Sequence, residues 1–325
     1  MSGKRPVTVV TGFLGSGKTT LLARVLRDPA LANTAVLVNE LGEVGLDHHL
    51  LERVNETTLL LENGCVCCTR RGELAGALRS LLEREARGEI PPVERVVVET
   101  SGLADPSPIP YTVLSDPVLR HHYAPGRVVA TVDAVNGPLH LRENPESVAQ
   151  IAASDLICVT KGDLTDEPAV IDLGRRLEKV NPAARLIPAS DLQAADIIET
   201  PRNPADATAD GAQPALHAGG EEAVRTLSLT FGEPLDWTAF GVWLSALLYA
   251  HGERVLRVKG LLDAGGTGPV SINGVQHVIH PPEHLDDWPG AEEPRSRLVF
   301  IVRGLEPSEI EASLRAFQAL PGATP

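Results

Sequence analysis

The stretch GFLGSGKT (12–19) constrains the fold of this chain more strongly than any other feature of its sequence. It fits the pattern G-x-x-x-x-G-K-[ST], follows the apolar run PVTVVTG (6–12) and precedes the helix-like segment TTLLARVLRD (19–28). A strand, a glycine-rich turn and a helix in this order form the context in which the pattern binds phosphate groups. The alternative is a chance glycine-rich turn, which the correct context on both sides disfavours.

The chemistry of such a loop assigns roles to its residues. Glycines allow backbone N–H groups to approach phosphate oxygens closely, and the partial positive charge at the helix N-terminus attracts the same oxygens. We expect the Lys18 ammonium to reach the β- and γ-phosphates and the Thr19 hydroxyl to bind Mg²⁺. The predicted nucleotide-binding residues of the loop are Gly12, Gly15, Ser16, Gly17, Lys18, Thr19 and Thr20.

A phosphate loop that binds Mg²⁺ requires an acidic partner at the end of another strand. In RVVVETSGLADP (95–106), Glu99 ends a hydrophobic run, and Gly102 follows where its backbone would sense the γ-phosphate. We therefore predict that Lys18 and Glu99 are catalytic and that Gly102 contacts the nucleotide. A solvated glutamate at a strand end is the alternative interpretation of Glu99.

The stretch VTKGDL (159–164) is the candidate motif for recognition of the base. GTPases usually read guanine with Asn-Lys-x-Asp, in which the Asp carboxylate accepts hydrogen bonds from guanine. Here Thr160 occupies the Asn position, whereas Lys161 and Asp163 keep theirs, so the pattern predicts guanine binding of modest affinity. The alternative is an ordinary strand-to-helix turn in which Asp163 or Thr165 caps the helix. The upstream phosphate loop and the segment PAS (188–190) favour guanine.

The first 198 residues alternate short apolar runs with helical patterns, for example at 71–86 and 166–180. The runs are rich in Val, Ile and Leu at consecutive positions, which is typical of parallel strands covered by helices on both faces. We predict a doubly wound α/β fold with a mostly parallel sheet, as in P-loop NTPases. The candidate strands are 6–12, 34–39, 57–61, 94–100, 127–135, 155–161 and 184–190.

Residues 199–222 are rich in Pro, Ala, Asp and Gly and have no periodicity, which indicates a flexible linker. We therefore predict a nucleotide-binding domain at 1–198 and a smaller C-terminal α+β domain at 223–325. In the second domain the patterns predict strands at 224–231, 253–262, 269–280 and 296–303, and helices at 235–251 and 307–320.

Composition excludes several classes of function. The formal net charge of −14 argues against nonspecific nucleic-acid binding, which needs basic patches to neutralise phosphates. We find no stretch of the roughly 18–20 apolar residues that a membrane helix needs. The N-terminal apolar run breaks at Gly12 and lacks the cleavage site of a signal peptide, so we expect a cytoplasmic protein.

The turn ENGCVCC (62–68) holds three of the four cysteines, Cys65, Cys67 and Cys68. Cytoplasmic thiols stay reduced, so this cluster is expected to bind a metal rather than to form disulfides. Thiolates suit Zn²⁺ and similar soft ions, and a coordination position left open would suit metal transfer. Buried packing and a redox role are the alternatives for the cluster, whereas Cys158 is expected to be a simple buried thiol.

Other residues are candidates for additional metal ligands. The loop NELGEVGLDHHL (39–50) lies where nucleotide switches usually occur, and its Glu40 would complete the thiolate site. Three histidines in GVQHVIHPPEH (274–284) suggest an auxiliary metal site, although packed strand histidines are the more common case. These histidines are His277, His280 and His284.

Taken in order, GFLGSGKTTLL, NELGEVGLDHHL, ENGCVCCTRRGEL, ETSGLADP and TKGD resemble the motifs of the CobW-type metallochaperone GTPases. The segments RVLRVKGLL and SRLVFIVRG are similar to strands of that family's C-terminal domain. The resemblance implies a GTPase that binds a transition metal, zinc or cobalt, and delivers it to a client protein under nucleotide control. It also implies GTP or GDP with Mg²⁺ at the phosphate loop, and metal ligation by Glu40, Cys65, Cys67 and Cys68.

The sequence leaves competing functions open. A metal-sensing docking protein with a vestigial GTPase site is the main alternative, and a nickel-insertion GTPase is disfavoured by the separate C-terminal domain. No arginine finger is evident apart from the candidates Arg70 and Arg71, so intrinsic hydrolysis is expected to be slow. Many relatives in the wider class of nucleotide switches dimerise, which makes a homodimer a candidate assembly.

Overall fold

The computed structural model describes residues 3–38, 59–61, 71–198, 224–288 and 295–319. The chain divides into two compact units. The first comprises Met1–Leu173 and Arg185–Arg202, and the second comprises Gly174–Ala184 and Asn203–Pro325. The whole predicted linker at 199–222 lies outside the described residues, so the proposed domain boundaries stay a prediction.

The first unit is built on a seven-stranded sheet in the order β3-β2-β4-β1-β5-β6-β7, and every neighbouring pair is parallel. Its helices run between the strands, which confirms the predicted doubly wound P-loop NTPase fold. The strands are β1 (Arg5–Gly12), β2 (Thr34–Val38), β3 (Leu59–Leu61), β4 (Arg95–Glu99), β5 (Tyr123–Asp133), β6 (Leu156–Thr160) and β7 (Arg185–Pro188).

Several helices of this unit begin with proline at their first or second position. Proline is favourable there because the first helical N–H groups have no intrahelical partner to lose. The helices are α1 (Lys18–Val25), α2 (Arg71–Ala86), α3 (Pro108–Ser115), α4 (Leu119–His122), α5 (Gly137–Glu143), α6 (Pro145–Ala153), α7 (Glu167–Val180) and α8 (Ala194–Ile198).

Two hydrophobic clusters cover the two faces of the parallel sheet. Adjacent residues of β1 show the division, since Val9 packs in one cluster and Val10 in the other. Leu21 and Leu22 of α1 lie in the cluster of Val10, and Leu78 of α2 lies in the cluster of Val9. Successive side chains of a strand point to opposite faces, so consecutive apolar residues are needed to fill both layers.

The sheet topology places four strand ends side by side. Because β4, β1, β5 and β6 are neighbouring parallel strands, their carboxyl ends meet at one edge of the sheet. Ligands of open α/β sheets bind at this edge. The residues that end these strands are Glu99, Gly12, Asp133 and Thr160.

The second unit contains a six-stranded sheet in the order β11-β10-β9-β13-β8, with β12 paired to β10, and its strand pairs are antiparallel. Trp243, Phe240 and Phe300 form the centre of its core. The elements are β8 (Val224–Phe231), α9 (Trp237–His251), β9 (Val255–Leu262), β10 (Val270–Val275), β11 (Val278–Ile279), β12 (Glu283–His284), β13 (Ser296–Arg303) and α10 (Pro307–Gln318).

The predicted strand at 269–280 is in fact a hairpin. Val275 pairs with Val278, so Gln276 and His277 form a two-residue turn, and Gln276 has a positive φ of 52°. The sequence did not indicate this turn, because the pattern of apolar and polar residues continues through it and neither turn residue is a glycine, asparagine or proline.

The C-terminal part of α7, from Gly174 onwards, belongs to the second unit. The Thr226 hydroxyl donates to Val180 O at 3.1 Å, and the buried Lys259 ammonium donates to Ala183 O at 3.3 Å. These donors satisfy carbonyl groups at and just beyond the helix C-terminus, where a positive charge is favourable.

Among the described helices, none is long and apolar enough to cross a membrane.

Candidate functional site

The loop between β1 and α1 uses glycines where the backbone demands them. Gly15 and Gly17 have φ values of 71° and 89°, in the left-handed region that favours glycine, and Gly17 is the N-cap of α1. At Gly12 the φ is 141°, and a Cβ atom would lie 2.3 Å from Thr131 Oγ1 and 2.7 Å from Ser16 Oγ. The chain therefore turns tightly between β1 and α1, as a phosphate-binding loop requires.

The Lys18 side chain lies across this loop. Its ammonium donates to Gly12 O at 3.0 Å and to Phe13 O at 3.3 Å. Lys18 is buried, and these carbonyl groups hold its charge at the first turn of the loop. The positive group is thus held beside backbone N–H groups of the loop, the arrangement that attracts phosphate.

Thr19 and Glu99 meet at the start of α1 and the end of β4. The Thr19 hydroxyl donates to Glu99 Oε1 at 2.6 Å, and both side chains are buried, with Glu99 only 2% exposed. A hydroxyl and a carboxylate are the hard oxygen ligands that Mg²⁺ prefers, so this pair fits a magnesium ion. A solvated glutamate at position 99 is excluded by its burial.

Gly102 lies directly against the phosphate loop. A Cβ atom at this position would be 2.6 Å from Leu14 N and 2.8 Å from Leu14 Cα, so only glycine fits the observed approach. On its other side, the Gly102 carbonyl accepts a 3.0 Å hydrogen bond from Gln150 Nε2. The loop after β4 therefore lies directly against the phosphate loop.

Thr160, in the Asn position of the base motif, is tied to the phosphate loop. Its hydroxyl lies 2.8 Å from Ser16 O and 3.2 Å from Val132 O, and its methyl group lies near Gly17. The contact between β6 and the phosphate loop is therefore made by the buried Thr160 hydroxyl, at the position where the usual motif has an asparagine amide.

Lys161 makes two contacts that fix the end of β6. Its ammonium donates to Gly15 O at 2.9 Å and to Asp133 Oδ2 at 2.6 Å. Lys161 itself adopts a left-handed conformation with φ of 57°, which turns the chain sharply after the strand. The lysine stem therefore runs between the phosphate loop and the end of β5.

Asp133 is the most heavily hydrogen-bonded carboxylate at this edge. Burial alone would raise its pKa, but hydrogen bonds from Lys161, from the Asn136 side chain and from the N–H groups of Asn136 and Val135 outweigh it. The net effect lowers the pKa of Asp133 from 3.8 to about 2. The carboxylate is therefore charged throughout the physiological pH range.

Asp163 is exposed in a short 3₁₀ turn at Gly162–Leu164. The cap of the following helix is Asp166, whose Oδ1 accepts from Ala169 N at 2.9 Å, so neither Asp163 nor Thr165 supplies this cap contact. Capping therefore does not account for Asp163. Its predicted contact with the base stays a prediction. The predicted role of Thr20 in binding phosphate also stays a prediction, and its side chain is exposed.

The segment PAS is held by an arginine of α1. Arg24 donates to the carbonyl groups of Ala189, Ser190 and Leu192, which line the turn after β7. One guanidinium thus fixes this turn relative to the helix that follows the phosphate loop.

Sequence reasoning missed three residues of the site. Thr131 shares a 2.6 Å hydrogen bond with Ser16, Asp133 pairs with Lys161, and Gln150 holds the loop that contains Gly102. The position of Asp133 at the end of an apolar strand was an available signal. Gln150 lies inside a helix and had no such signal.

The predicted transition-metal ligands Glu40, Cys65, Cys67 and Cys68 lie outside the described residues. Within the described ranges, no three His, Cys, Asp or Glu side chains are grouped closely enough to hold a metal ion. The suggested histidine site is therefore not formed. His277 contacts Leu248 O, His280 contacts Asn273, and His284 lies against Trp237.

Cys158 is a buried thiol of β6, as expected. Burial raises its pKa from 9.0 to about 12, with a smaller contribution from Asp196, so the thiol stays protonated and unreactive.

Comparisons with known proteins agree with this architecture. Residues 6–188 match the model of the CobW/HypB/UreG nucleotide-binding domain, and residues 224–318 match that of the cobalamin synthesis protein cobW C-terminal domain. The chain is 32% identical to the zinc chaperone YjiA of Escherichia coli over 315 residues, which cover 94% of this chain and 96% of that protein.

Two further similarities extend the comparison. The zinc chaperone CobW of Pseudomonas aeruginosa is 32% identical over 212 residues, covering 56% of this chain and 55% of that protein. The crystal structure of Zn(II)-bound YjiA GTPase from E. coli superimposes with a TM-score of 0.71 at 26% identity, covering 97% of this chain and 99% of that one. The chain belongs to the CobW family, with a CobW/HypB/UreG nucleotide-binding domain followed by a cobW C-terminal domain.

Proposed function

We propose that this protein is a GTP-hydrolysing metallochaperone that binds zinc at its C-x-C-C turn and delivers it to a client protein. Family membership supports this proposal, together with relatives named zinc chaperone, YjiA GTPase and zinc-regulated GTPase metalloprotein activator. The thiols of the turn must be reduced to bind zinc, which favours a cytoplasmic location.

The observation that carries the nucleotide part is the contact between Thr19 and Glu99. A hydroxyl at the start of α1 and a buried carboxylate at the end of β4 meet at 2.6 Å beside the phosphate loop. These two groups would hold Mg²⁺, which supplies charge neutralisation at the β- and γ-phosphates when it is bound. Lys18 would add a second positive charge at the same phosphates.

Guanine is the base that the arrangement favours. Lys161 is held against Gly15 O and Asp133, which places its stem beside the loop, and Asp163 is exposed two residues later. An exposed carboxylate can accept the two hydrogen bonds that guanine donates, whereas adenine offers no such pair of donors.

The cargo metal is proposed from ligand chemistry. Cys65, Cys67 and Cys68 are soft donors, and Glu40 would add a carboxylate, a set that suits Zn²⁺. Co²⁺ fits comparable donors, so cobalt is the second metal to test. An open coordination position would allow transfer to the client.

Nucleotide control requires that GTP and GDP change the affinity for zinc. Such coupling is typically about 1–3 kcal/mol and is reciprocal, so zinc must change GTP affinity by the same factor. Control of this kind distinguishes a chaperone from a protein that only senses metal.

Zinc affinity measured by competition with a chromophoric chelator tests the proposal directly. The protein is compared without nucleotide, with Mg-GDP and with a Mg-GTP analogue, and one zinc per chain with a clear nucleotide-dependent shift is expected. Cys67→Ala should lose zinc binding and keep nucleotide binding, whereas Cys158→Ala is the matched control that keeps both. Zinc affinity that is the same with and without nucleotide, or that is unchanged in Cys67→Ala, would contradict the proposal.

A further inference from the structure

Gln150 of α6 connects this helix to the loop that follows β4. Its side chain is 1% exposed, and Nε2 donates to Gly102 O at 3.0 Å and to Ala104 O at 3.1 Å. Both neighbours are carbonyl oxygens, which only accept hydrogen bonds, so the amide NH₂ group must face them.

Two hydrogen bonds from one amide fix two peptide planes of this loop. A peptide unit is planar, so holding a carbonyl oxygen also fixes the direction of the next residue's N–H group. At Gly102 the backbone is additionally pressed against Leu14 of the phosphate loop. Beyond Ala104, the Asp105 carboxylate accepts from Ser107 N at 2.9 Å, which closes the turn. The loop is therefore held between Gln150 and the phosphate loop.

The amide at this position carries an energetic cost. Gln150 Oε1 is buried and has no hydrogen-bond partner in the part of the chain that the structure describes. A buried polar atom without a partner is unfavourable, and a leucine of similar size would avoid the cost if only packing mattered. The two hydrogen bonds that Gln150 donates to the loop compensate for this cost.

We infer that Gln150 is a positioning residue that holds the 101–105 loop in the geometry that recognises the γ-phosphate, and so sets the preference for GTP over GDP. This inference rests on the proposed function, because it requires a guanine nucleotide in the phosphate loop. GDP lacks the third phosphate, so its binding does not depend on this loop in the same way. Loss of the two hydrogen bonds leaves the loop to be ordered by GTP itself, which weakens GTP binding selectively.

Gln150→Leu tests the inference in the full-length protein. Affinities for Mg-GDP and for a non-hydrolysable Mg-GTP analogue are measured with the same preparation, so GDP binding verifies the fold. We expect the affinity for the analogue to fall about tenfold, equivalent to about 1.4 kcal/mol. GDP affinity is expected to change less than about twofold. Ser154→Ala removes a buried 2.8 Å hydrogen bond to Ile151 O just after the same helix and is the matched control.

Gln150→Glu is a second variant with nearly the same shape. Its carboxylate would face two carbonyl oxygens, so the affinity for the GTP analogue should fall further at about pH 8 and partly recover towards about pH 6, as protonation restores one donor. A purely structural role would not produce this pH dependence in the ratio of GTP to GDP affinity. The variant also keeps the test decisive if Gln150→Leu does not fold.

The outcomes separate this inference from the proposed function. An unchanged affinity ratio in both variants overturns the role of Gln150 and leaves the proposed GTPase intact. Wild-type protein that binds both nucleotides equally overturns the inference as well, since no preference then exists. Wild-type protein that binds neither nucleotide overturns the proposed function and the inference with it.

Discussion

The Thr19 hydroxyl donates a 2.6 Å hydrogen bond to Glu99 Oε1, although the two residues are 80 positions apart in the sequence. The parallel register of β1 and β4 explains the contact, because it pairs Val10 with Glu99 at the edge where the phosphate loop begins. The sheet therefore brings together a hydroxyl and a carboxylate that suit one magnesium ion.

Glu99→Gln should weaken Mg²⁺ binding in the nucleotide complex. Glutamine keeps the shape of the side chain and an oxygen that accepts from Thr19, but it removes the negative charge that attracts the cation. We expect the Mg²⁺ affinity of the GTP-analogue complex to fall at least about tenfold, which is equivalent to about 1.4 kcal/mol. Mg²⁺ titration with a fluorescent nucleotide measures the change, and hydrolysis should slow with it.

Glu94→Gln is the matched control for this experiment. Glu94 directly precedes β4, at the opposite end of the strand, where it is exposed and forms a 3.1 Å ion pair with Arg95. Its loss should leave the Mg²⁺ affinity unchanged. Equal Mg²⁺ affinity in Glu99→Gln and wild type would remove Glu99 from the magnesium site.

The fold was largely predictable because the apolar runs and the phosphate loop carry local signals. Val9 and Val10 belong to a run that is apolar on both faces, which is typical of a parallel strand covered on both sides by helices. Gln150 and Thr131 could not be predicted as site residues, because their roles depend on contacts with residues 48 and 115 positions away. The turn at Gln276 was missed because its residues are not typical of hairpins.

Asp133→Asn should destabilise the protein at neutral pH. The folded pKa of about 2 lies below the ordinary value of 3.8, so the carboxylate contributes stability that is fully present above about pH 4 and is lost as the pH falls towards about 2. Allowing for the partial exposure of Lys161, we expect a loss of about 1–2 kcal/mol at neutral pH. Chemical unfolding at several pH values should show a smaller acid-dependent loss in the variant.

A double-mutant cycle isolates the ion pair that contributes to this effect. Lys161→Met removes the 2.6 Å contact from the other side, and the double variant should be more stable than the sum of the two single losses predicts. Strict additivity would show that the two residues do not stabilise each other, whatever the loss in Asp133→Asn.

Thr160→Val should loosen the contact between β6 and the phosphate loop. Valine keeps the size and branching of threonine but removes the hydroxyl that lies 2.8 Å from Ser16 O, which leaves this carbonyl without that donor. We expect a loss of stability of about 1 kcal/mol and weaker binding of GDP. Calorimetry of unfolding and of GDP binding measures both, and Thr165→Val at a nearby half-buried position is the control.

Gly12→Ala and Gly15→Ala separate steric crowding from backbone conformation in the phosphate loop. A Cβ atom at Gly12 would lie 2.3 Å from Thr131 Oγ1 and 2.5 Å from Thr131 O, so β1 or β5 must shift. At Gly15 a Cβ atom meets no atom within 4 Å, and only the φ of 71° is unfavourable for alanine. Gly15→Ala should therefore lose about 1 kcal/mol of stability, and Gly12→Ala clearly more. Similar losses in thermal unfolding would show that the approach of Gly12 to Thr131 does not constrain the loop.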